Sequence, residues 1–198
     1  MREYIINRKP AELDWDKLPV MAIDCLLWSD PLSITAQAAM CYDDEGLYVR
    51  LSAQEENIRA ENTGLLGIPC EDSCLEFFFS PIPNDNRYFN IEMNPNGCLY
   101  LGFGSNRYNL VRLIARSNPF PTEIERFDGG WQITYNIPWD FVRQFFPDFV
   151  AMPGKTMRGN CYKCGDLTVQ PHYFSWNPIR LNTPEFHCPG EFGLLRFG

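Results

Sequence analysis

Seven side chains in this sequence have the types and spacing to hold a small polar ligand. Glu76, Asn90 and Glu92 share a parity in strand-like segments, and Tyr162, Trp176, Phe186 and His187 lie in a C-terminal run rich in Pro and Gly. That run reads Tyr162-Lys163-Cys164-Gly165-Asp166, then Phe174-Ser175-Trp176-Asn177-Pro178, then Phe186-His187-Cys188-Pro189-Gly190-Glu191-Phe192-Gly193. Loops ride on the surface, so large aromatics there call for a reason, and ligand contact is a common one. Aromatic faces beside carboxylates, amides and hydroxyls match a sugar ring, whose axial C–H faces are apolar and whose equatorial hydroxyls are polar. Phe186 is the expected stacking ring. Trp176, ahead of Asn-Pro, reads either as a second ring at the binding surface or as a cap on the core. Glu76, Asn90, Glu92, Tyr162 and His187 are the expected hydrogen-bonding groups, with Glu76 foremost because charge-assisted bonds are the strong kind.

The same residues suggest two rival chemistries. A glycoside hydrolase needs two carboxyls, about 5–5.5 Å apart for retention or about 6.5–9.5 Å for inversion. Glu76 and Glu92 meet that need if their strands pair, but an open sheet face would not raise one pKa enough to make an acid. A Cys/His metal site is the other rival, drawing on Cys161, Cys164, His172, His187 and Cys188. Its spacing lacks the second paired ligand set of a zinc finger. Cys161 and Cys164 also lie three apart in a strand-like segment, which sends the two thiols to opposite sides.

The elements that must position these groups are strands. The chain has 198 residues, 45% hydrophobic, with 15 Phe, 9 Tyr and 5 Trp, a composition that favours sheet. Leu47, Val49 and Leu51 share a face, as do Leu75, Phe77 and Phe79, then Phe89, Ile91 and Met93, and then Trp131, Ile133, Tyr135 and Ile137. Such alternation marks half-buried antiparallel strands. Asp43-Asp44-Glu45-Gly46, Asn94-Pro95-Asn96-Gly97 and Asp128-Gly129-Gly130 read as hairpin turns. One helix is predicted over 139–146, stopped by Pro147. About ten strands and one short helix predict an all-β sandwich, with residues 1–198 as a single domain.

A net charge of −8 argues against nucleic acid and anionic membrane as partners and does not penalise a neutral sugar. No apolar stretch reaches the length of a membrane span. The first ten residues hold no signal-peptide core, so the sequence taken literally is expected in the cytoplasm, or outside the cell if a leader has been trimmed. The eight cysteines are expected to be reduced and structural.

Many segments, in order, resemble carbohydrate-binding family 9, whose relatives include modules appended to xylanases. They are Tyr42-Asp43-Asp44-Glu45-Gly46-Leu47-Tyr48-Val49, Asp72-Ser73-Cys74-Leu75-Glu76-Phe77-Phe78, Ile91-Glu92-Met93-Asn94-Pro95-Asn96-Gly97, Ile137-Pro138-Trp139 and Gly159-Asn160-Cys161-Tyr162-Lys163-Cys164-Gly165-Asp166, with the C-terminal runs above. Together they extend over residues 28–197. The resemblance implies an immunoglobulin-like or jelly-roll-like sandwich of two antiparallel sheets that binds sugar without cleaving it. The saccharide implied is of the plant-polysaccharide type, derived from xylan or cellulose, and a glycoside hydrolase is the implied partner. In the family two aromatic rings clamp a terminal sugar while carboxylates and amides bond its hydroxyls. Glu76 falls on the acidic sugar-contacting position and Phe186 near the second ring. The first ring has no counterpart, since 58–70 contains no Phe, Tyr or Trp. The resemblance also brings calcium, with no ligand segment assigned.

Overall fold

Period-two alternation becomes strand over most of the chain. A computed structural model describes all 198 residues. Its strands are β1 Glu3–Arg8, β2 Met21–Ala22, β3 Cys25–Leu27, β4 Thr35–Tyr42, β5 Gly46–Gln54, β6 Cys74–Ser80 and β7 Tyr88–Met93. They continue with β8 Leu99–Asn106, β9 Asn109–Arg112, β10 Thr122–Phe127, β11 Gly130–Pro138, β12 Thr156–Gly165, β13 His172–Ser175 and β14 Gly193–Phe197. Helix α1, Trp139–Phe145, is the one α-helix, and it buries Trp139 and Val142. Asp43-Asp44-Glu45-Gly46 joins β4 to β5, Asn94-Pro95-Asn96-Gly97 joins β7 to β8, and Asp128-Gly129-Gly130 joins β10 to β11, all as antiparallel pairs. Gly97 and Gly129 both sit at φ +74°, a backbone that side chains with a Cβ rarely adopt.

The hydrogen-bonded order is β10-β11-β5-β4-β1-β14-β12-β6-β7-β8-β9, with β13 alongside β12, β3 alongside β13, and β2 alongside β4. The path curls, so Leu47, Val49, Leu51, Trp131 and Ile133 share one core with Leu75, Phe77, Phe79, Phe89 and Leu195. Each such side chain contributes about 1.5–3 kcal/mol through burial. One expectation needs correction, because the strands are not all antiparallel. β1 pairs in parallel with β14 on one side and β4 on the other, which ties the two halves of the sheet together through the N-terminal strand.

A second correction bears directly on the site. The outer face of β6, β7 and β12 is not an open, solvated sheet. Phe78, Tyr88, Tyr162, Ile179 and Phe192 form a separate apolar cluster there, with Leu27, Trp28 and Phe186 packed on it. Sequence after β13 folds back as a second layer, and every residue of β6 and β7 is buried on both sides. A pocket remains where that layer is incomplete.

Candidate functional site

Antiparallel pairing sets Glu76 of β6 directly opposite Glu92 of β7. On the same sheet face, Cys164 of β12 stands opposite Cys74 of β6 and beside Tyr173 of β13. These strands form the floor of a pocket of about 160 Å³. Glu76, Glu92, Cys70, Cys164 and Asp166 line its acidic and thiol side, while Trp28, Phe78, Tyr173 and Phe186 line its aromatic side. Its rim is Pro184, Glu185 and His187, with Arg107 reaching over from the β8–β9 turn. The volume is well below the ~300–1,000 Å³ of drug-sized sites and suits one ring rather than a buried chain.

Three contacts hold the rim. The Arg107 guanidinium bonds Glu185 at 2.8 Å, and the Glu185 carboxylate accepts the backbone N–H of His187 at 2.7 Å. The Trp28 indole N–H donates to the Leu181 carbonyl at 2.8 Å. Trp28 is the only non-glycine residue with positive φ, at 47°. A bulky side chain there is rare and costs on the order of 1–3 kcal/mol, and such strain clusters at functional sites.

Burial decides the electrostatics. Glu76 is held well above the ordinary carboxylate value, first by desolvation and then by Glu92 beside it. Glu92 is raised to about 7 by burial, against the Asn90 amide, which donates to its Oε1 at 2.6 Å. Asp166 is also raised by burial. His187 is lowered to about 4 by burial and then by Arg107, and its Nδ1 lies 2.8 Å from the Tyr88 hydroxyl. The floor is therefore acidic, desolvated and partly protonated near neutrality.

A larger cavity of about 350 Å³ opens elsewhere, between Leu32, Ile34, Glu55, Thr168, Gln170 and His172. It has no Phe, Tyr or Trp in its wall, so it offers no flat apolar face for a sugar ring.

The model of carbohydrate-binding family 9 matches residues 7–197, nearly the whole chain. The chain belongs to carbohydrate-binding family 9. A protein from Bacteroides uniformis ATCC 8492, proposed to bind carbohydrate, has a crystal structure that superimposes with a TM-score of 0.82. It shares 31% sequence identity, covering 100% of this chain and 99% of that one. A family 9 module from Caldicellulosiruptor kristjanssonii, solved with glucose, gives a TM-score of 0.69 at 12% identity, covering 100% and 96%. The cellotriose complex of a family 9 module from the same organism also gives 0.69 at 12%, covering 99% and 93%. At that identity the likeness is one of fold. Among curated proteins, none matches the chain.

Within this family 9 chain, Glu76, Glu92, Phe186 and His187 meet at the pocket. Asn90, Tyr162 and Trp176 do not line it. Asn90 is fully buried and its amide is committed to Glu92. Tyr162 lies beneath Phe186, stacked at 4.1 Å and 11°, with its hydroxyl donating to the Phe186 carbonyl at 3.2 Å. It supports the ring and presents no free hydroxyl. Trp176 belongs to the main core, packed so tightly on Gly193 that a Cβ there would come within 2.4 Å of the indole. Of its two readings, the core cap is correct.

Sequence reasoning missed Trp28, Tyr173, Arg107 and Asp166. Asp166 ended a quoted family segment and Trp28 opened the resemblance, but neither carried a pattern that aimed it at Glu76. The two-ring clamp is also absent in its family form. Holding a sugar between two rings needs about 7–8 Å, twice a contact distance of about 3.5–4.0 Å. Trp28 and Phe186 are 5.8 Å apart and tilted by 39°, so they form one continuous wall.

The five Cys/His residues weighed as a metal site are scattered. Cys161 faces the main core and Cys164 the pocket, as their spacing predicts. His172 bonds Lys163 at 2.7 Å, while His187 and Cys188 belong to the rim layer. The one converging group of His, Cys, Asp or Glu ligand atoms is Cys74, Glu76 and Cys164, two of them thiols.

These shifts have opposing consequences for stability. Glu92, raised from 4.5 to about 7, contributes stability that is fully present below 4.5 and is lost as pH rises through about 7. His172 and His187, lowered from 6.5 to about 4, contribute stability that is present above 6.5 and is lost as pH falls through about 4. In the wild type the two trends offset each other between pH 5 and 7. Glu92→Gln removes one of them, and it also relieves Glu76. Its melting temperature is expected to fall more steeply than the wild type's as pH is lowered from about 7 to about 5. Parallel curves in a scanning-calorimetry series would contradict this.

Proposed function

We propose that the pocket binds a saccharide of the plant-polysaccharide type, derived from xylan or cellulose, and does not cleave it. The observation that carries this reading is the wall of Trp28 and Phe186 standing over Glu76, Glu92 and Asp166 in a family 9 chain. The wall takes the apolar face of one ring, and the floor takes its hydroxyls. Relatives with the same fold, solved with glucose and with cellotriose, support a β-glucosyl-type ligand. The family's two-sheet sandwich is our reading of the curled sheet. Single-ring contact at one wall implies weak capture, which a neighbouring glycoside hydrolase or a second module can strengthen through valency.

Aromatic contacts contribute about 0.5–1.5 kcal/mol beyond buried area. Phe186→Ala is therefore expected to weaken binding of cello- or xylo-oligosaccharides by about tenfold. Glu76→Gln keeps the shape and is expected to weaken it too. Calorimetry on the two folded variants checks both. Unchanged affinity in both would remove the pocket from the binding reaction.

A second reading has one observation in its favour. Glu76 and Glu92 are adjacent, buried, and shifted towards the protonated form, so the enclosure that a glycoside hydrolase needs is present after all. The geometry argues against it. The two carboxyls stand side by side on one sheet face and meet a bound sugar from the same side, whereas hydrolysis needs them to flank the scissile bond. Prolonged incubation with xylo-, cello- and manno-oligosaccharides, read by mass spectrometry, is expected to give no products. Turnover lost in both Glu76→Gln and Glu92→Gln would establish the hydrolase.

A further inference from the structure

The pocket floor holds a group that saccharide recognition does not require. Cys74 Sγ, Cys164 Sγ and a Glu76 carboxylate oxygen all lie within 4.8 Å of one another, and all three residues are buried. Cys164 Sγ is 2.9 Å from Glu76 Oε1. Cys74 and Glu76 are two apart on β6, on one face, and Cys164 is the cross-strand partner of Cys74 on β12. The three ligands therefore sit on two paired strands, β6 buried throughout and β12 buried from Gly159 to Gly165, the rigid kind of element that keeps a site preorganised. Glu76 and Cys164 line the pocket while Cys74 lies beneath it, so the group opens towards the pocket on one side only.

We infer that Cys74, Cys164 and Glu76 form a three-ligand site for a thiophilic divalent ion of the zinc class, with its fourth position open to the pocket. Two sulfurs and one oxygen suit zinc and its soft neighbours rather than calcium or magnesium. Tetrahedral zinc, with bonds of about 2.0–2.3 Å, asks for ligand atoms about 3.5–3.8 Å apart. Here the three lie within 4.8 Å of one another, with Cys164 Sγ and Glu76 Oε1 at 2.9 Å, so side-chain adjustment would close them on an ion. The surroundings are mainly acidic, and the nearest buried cation, Lys163, is taken up by Glu55, His172 and the Cys164 carbonyl. Glu92, Asp166 and Cys70 line the same pocket, and its only cationic side chain, Arg107, is paired with Glu185. Three protein ligands with one open position would let the ion take a water or a hydroxyl of the bound ligand. The inference stands on ligand geometry and does not rest on the saccharide reading.

The test is a titration of the reduced, metal-free full chain with Co²⁺, followed by displacement with Zn²⁺. One equivalent is expected to give a thiolate charge-transfer band and the visible bands of a tetrahedral site, abolished by Zn²⁺ and unaffected by Ca²⁺. Cys164→Ser and Glu76→Gln are each expected to weaken Zn²⁺ binding at least tenfold. Cys25→Ser should match the wild type, because that thiol lies by Asp24 and the Trp176 carbonyl. A wild-type chain that gives no charge-transfer band overturns the inference whether or not the variants fold. So does a band that survives in the Cys74→Ser/Cys164→Ser double variant. Calorimetry with cellotriose on the metal-free chain reads saccharide binding separately, so failure of one reading leaves the other standing.

Discussion

Trp28→Ala is expected to weaken saccharide binding by about 2 kcal/mol, roughly thirty-fold in Kd, the largest affinity loss of any single substitution in the pocket. Tryptophan dominates binding hot spots because its large rigid ring covers much apolar surface at little entropic cost. Here the ring also does a second job. It packs on Phe186 at 5.8 Å and on Tyr173 at 6.1 Å, and its indole N–H holds the Leu181 carbonyl. Removing it takes away half the wall and loosens the other half. Trp28→Gly separates the ring from the backbone, because glycine accepts φ 47° freely. That variant should lose the same affinity while being more stable than Trp28→Ala. Calorimetry with cellotriose, alongside a melting curve for each variant, checks both. Wild-type affinity in a folded Trp28→Gly chain would exclude the wall from binding.

The second large effect lies behind the pocket and concerns stability. Lys163 is completely buried, with its ammonium 3.2 Å from Glu55 Oε1, 2.7 Å from His172 Nε2 and 2.9 Å from the Cys164 carbonyl. Ser73 donates to the same Glu55 oxygen at 2.8 Å. This network links β12 to the end of β5 and the start of β6, directly behind Cys164. Lys163→Met leaves Glu55 buried without its cation, which typically costs roughly 3–5 kcal/mol. In a chain of this length that lowers the melting temperature by about 10 °C. Adding Glu55→Gln should recover much of the loss, because the penalty comes from the stranded charge rather than from the missing bond. Scanning calorimetry of the two variants gives the answer. A single variant within about 1 kcal/mol of wild type would mean that Glu55 is not desolvated as described.

How far these features could be read in advance depended on the range of the interaction behind each. The β4–β5, β7–β8 and β10–β11 hairpins were legible because alternation and turn chemistry are local, and helix α1 because Pro147 stops a run of aromatics on one side. The Glu76–Glu92 pairing followed from parity once β6 and β7 were neighbours. What parity could not supply was the second layer. The alternation of β6 marks Cys74, Glu76 and Phe78 as outward-facing, and outward normally means wet. They are dry because residues roughly a hundred positions later fold over them, and no local pattern encodes that cover. Trp28 escaped for the same reason, since its meeting with Phe186 spans most of the chain. Lys163 was hidden differently. A lysine in a strand reads as a solvated face until Glu55, 108 residues away, is found beside it.

The central claim is that a saccharide seats on the Trp28–Phe186 wall above Glu76 and Glu92. The most direct measurement is a two-dimensional ¹⁵N NMR titration of the full chain with cellotriose. The Trp28 indole resonance and the backbone amides of 164–166 and 185–187 are expected to shift together along a single saturable isotherm, while the amides of Glu55 and Gln170 at the larger cavity stay fixed. Shifts confined to that larger cavity, or a spectrum unchanged at saturating cellotriose, glucose and xylotriose, would contradict it.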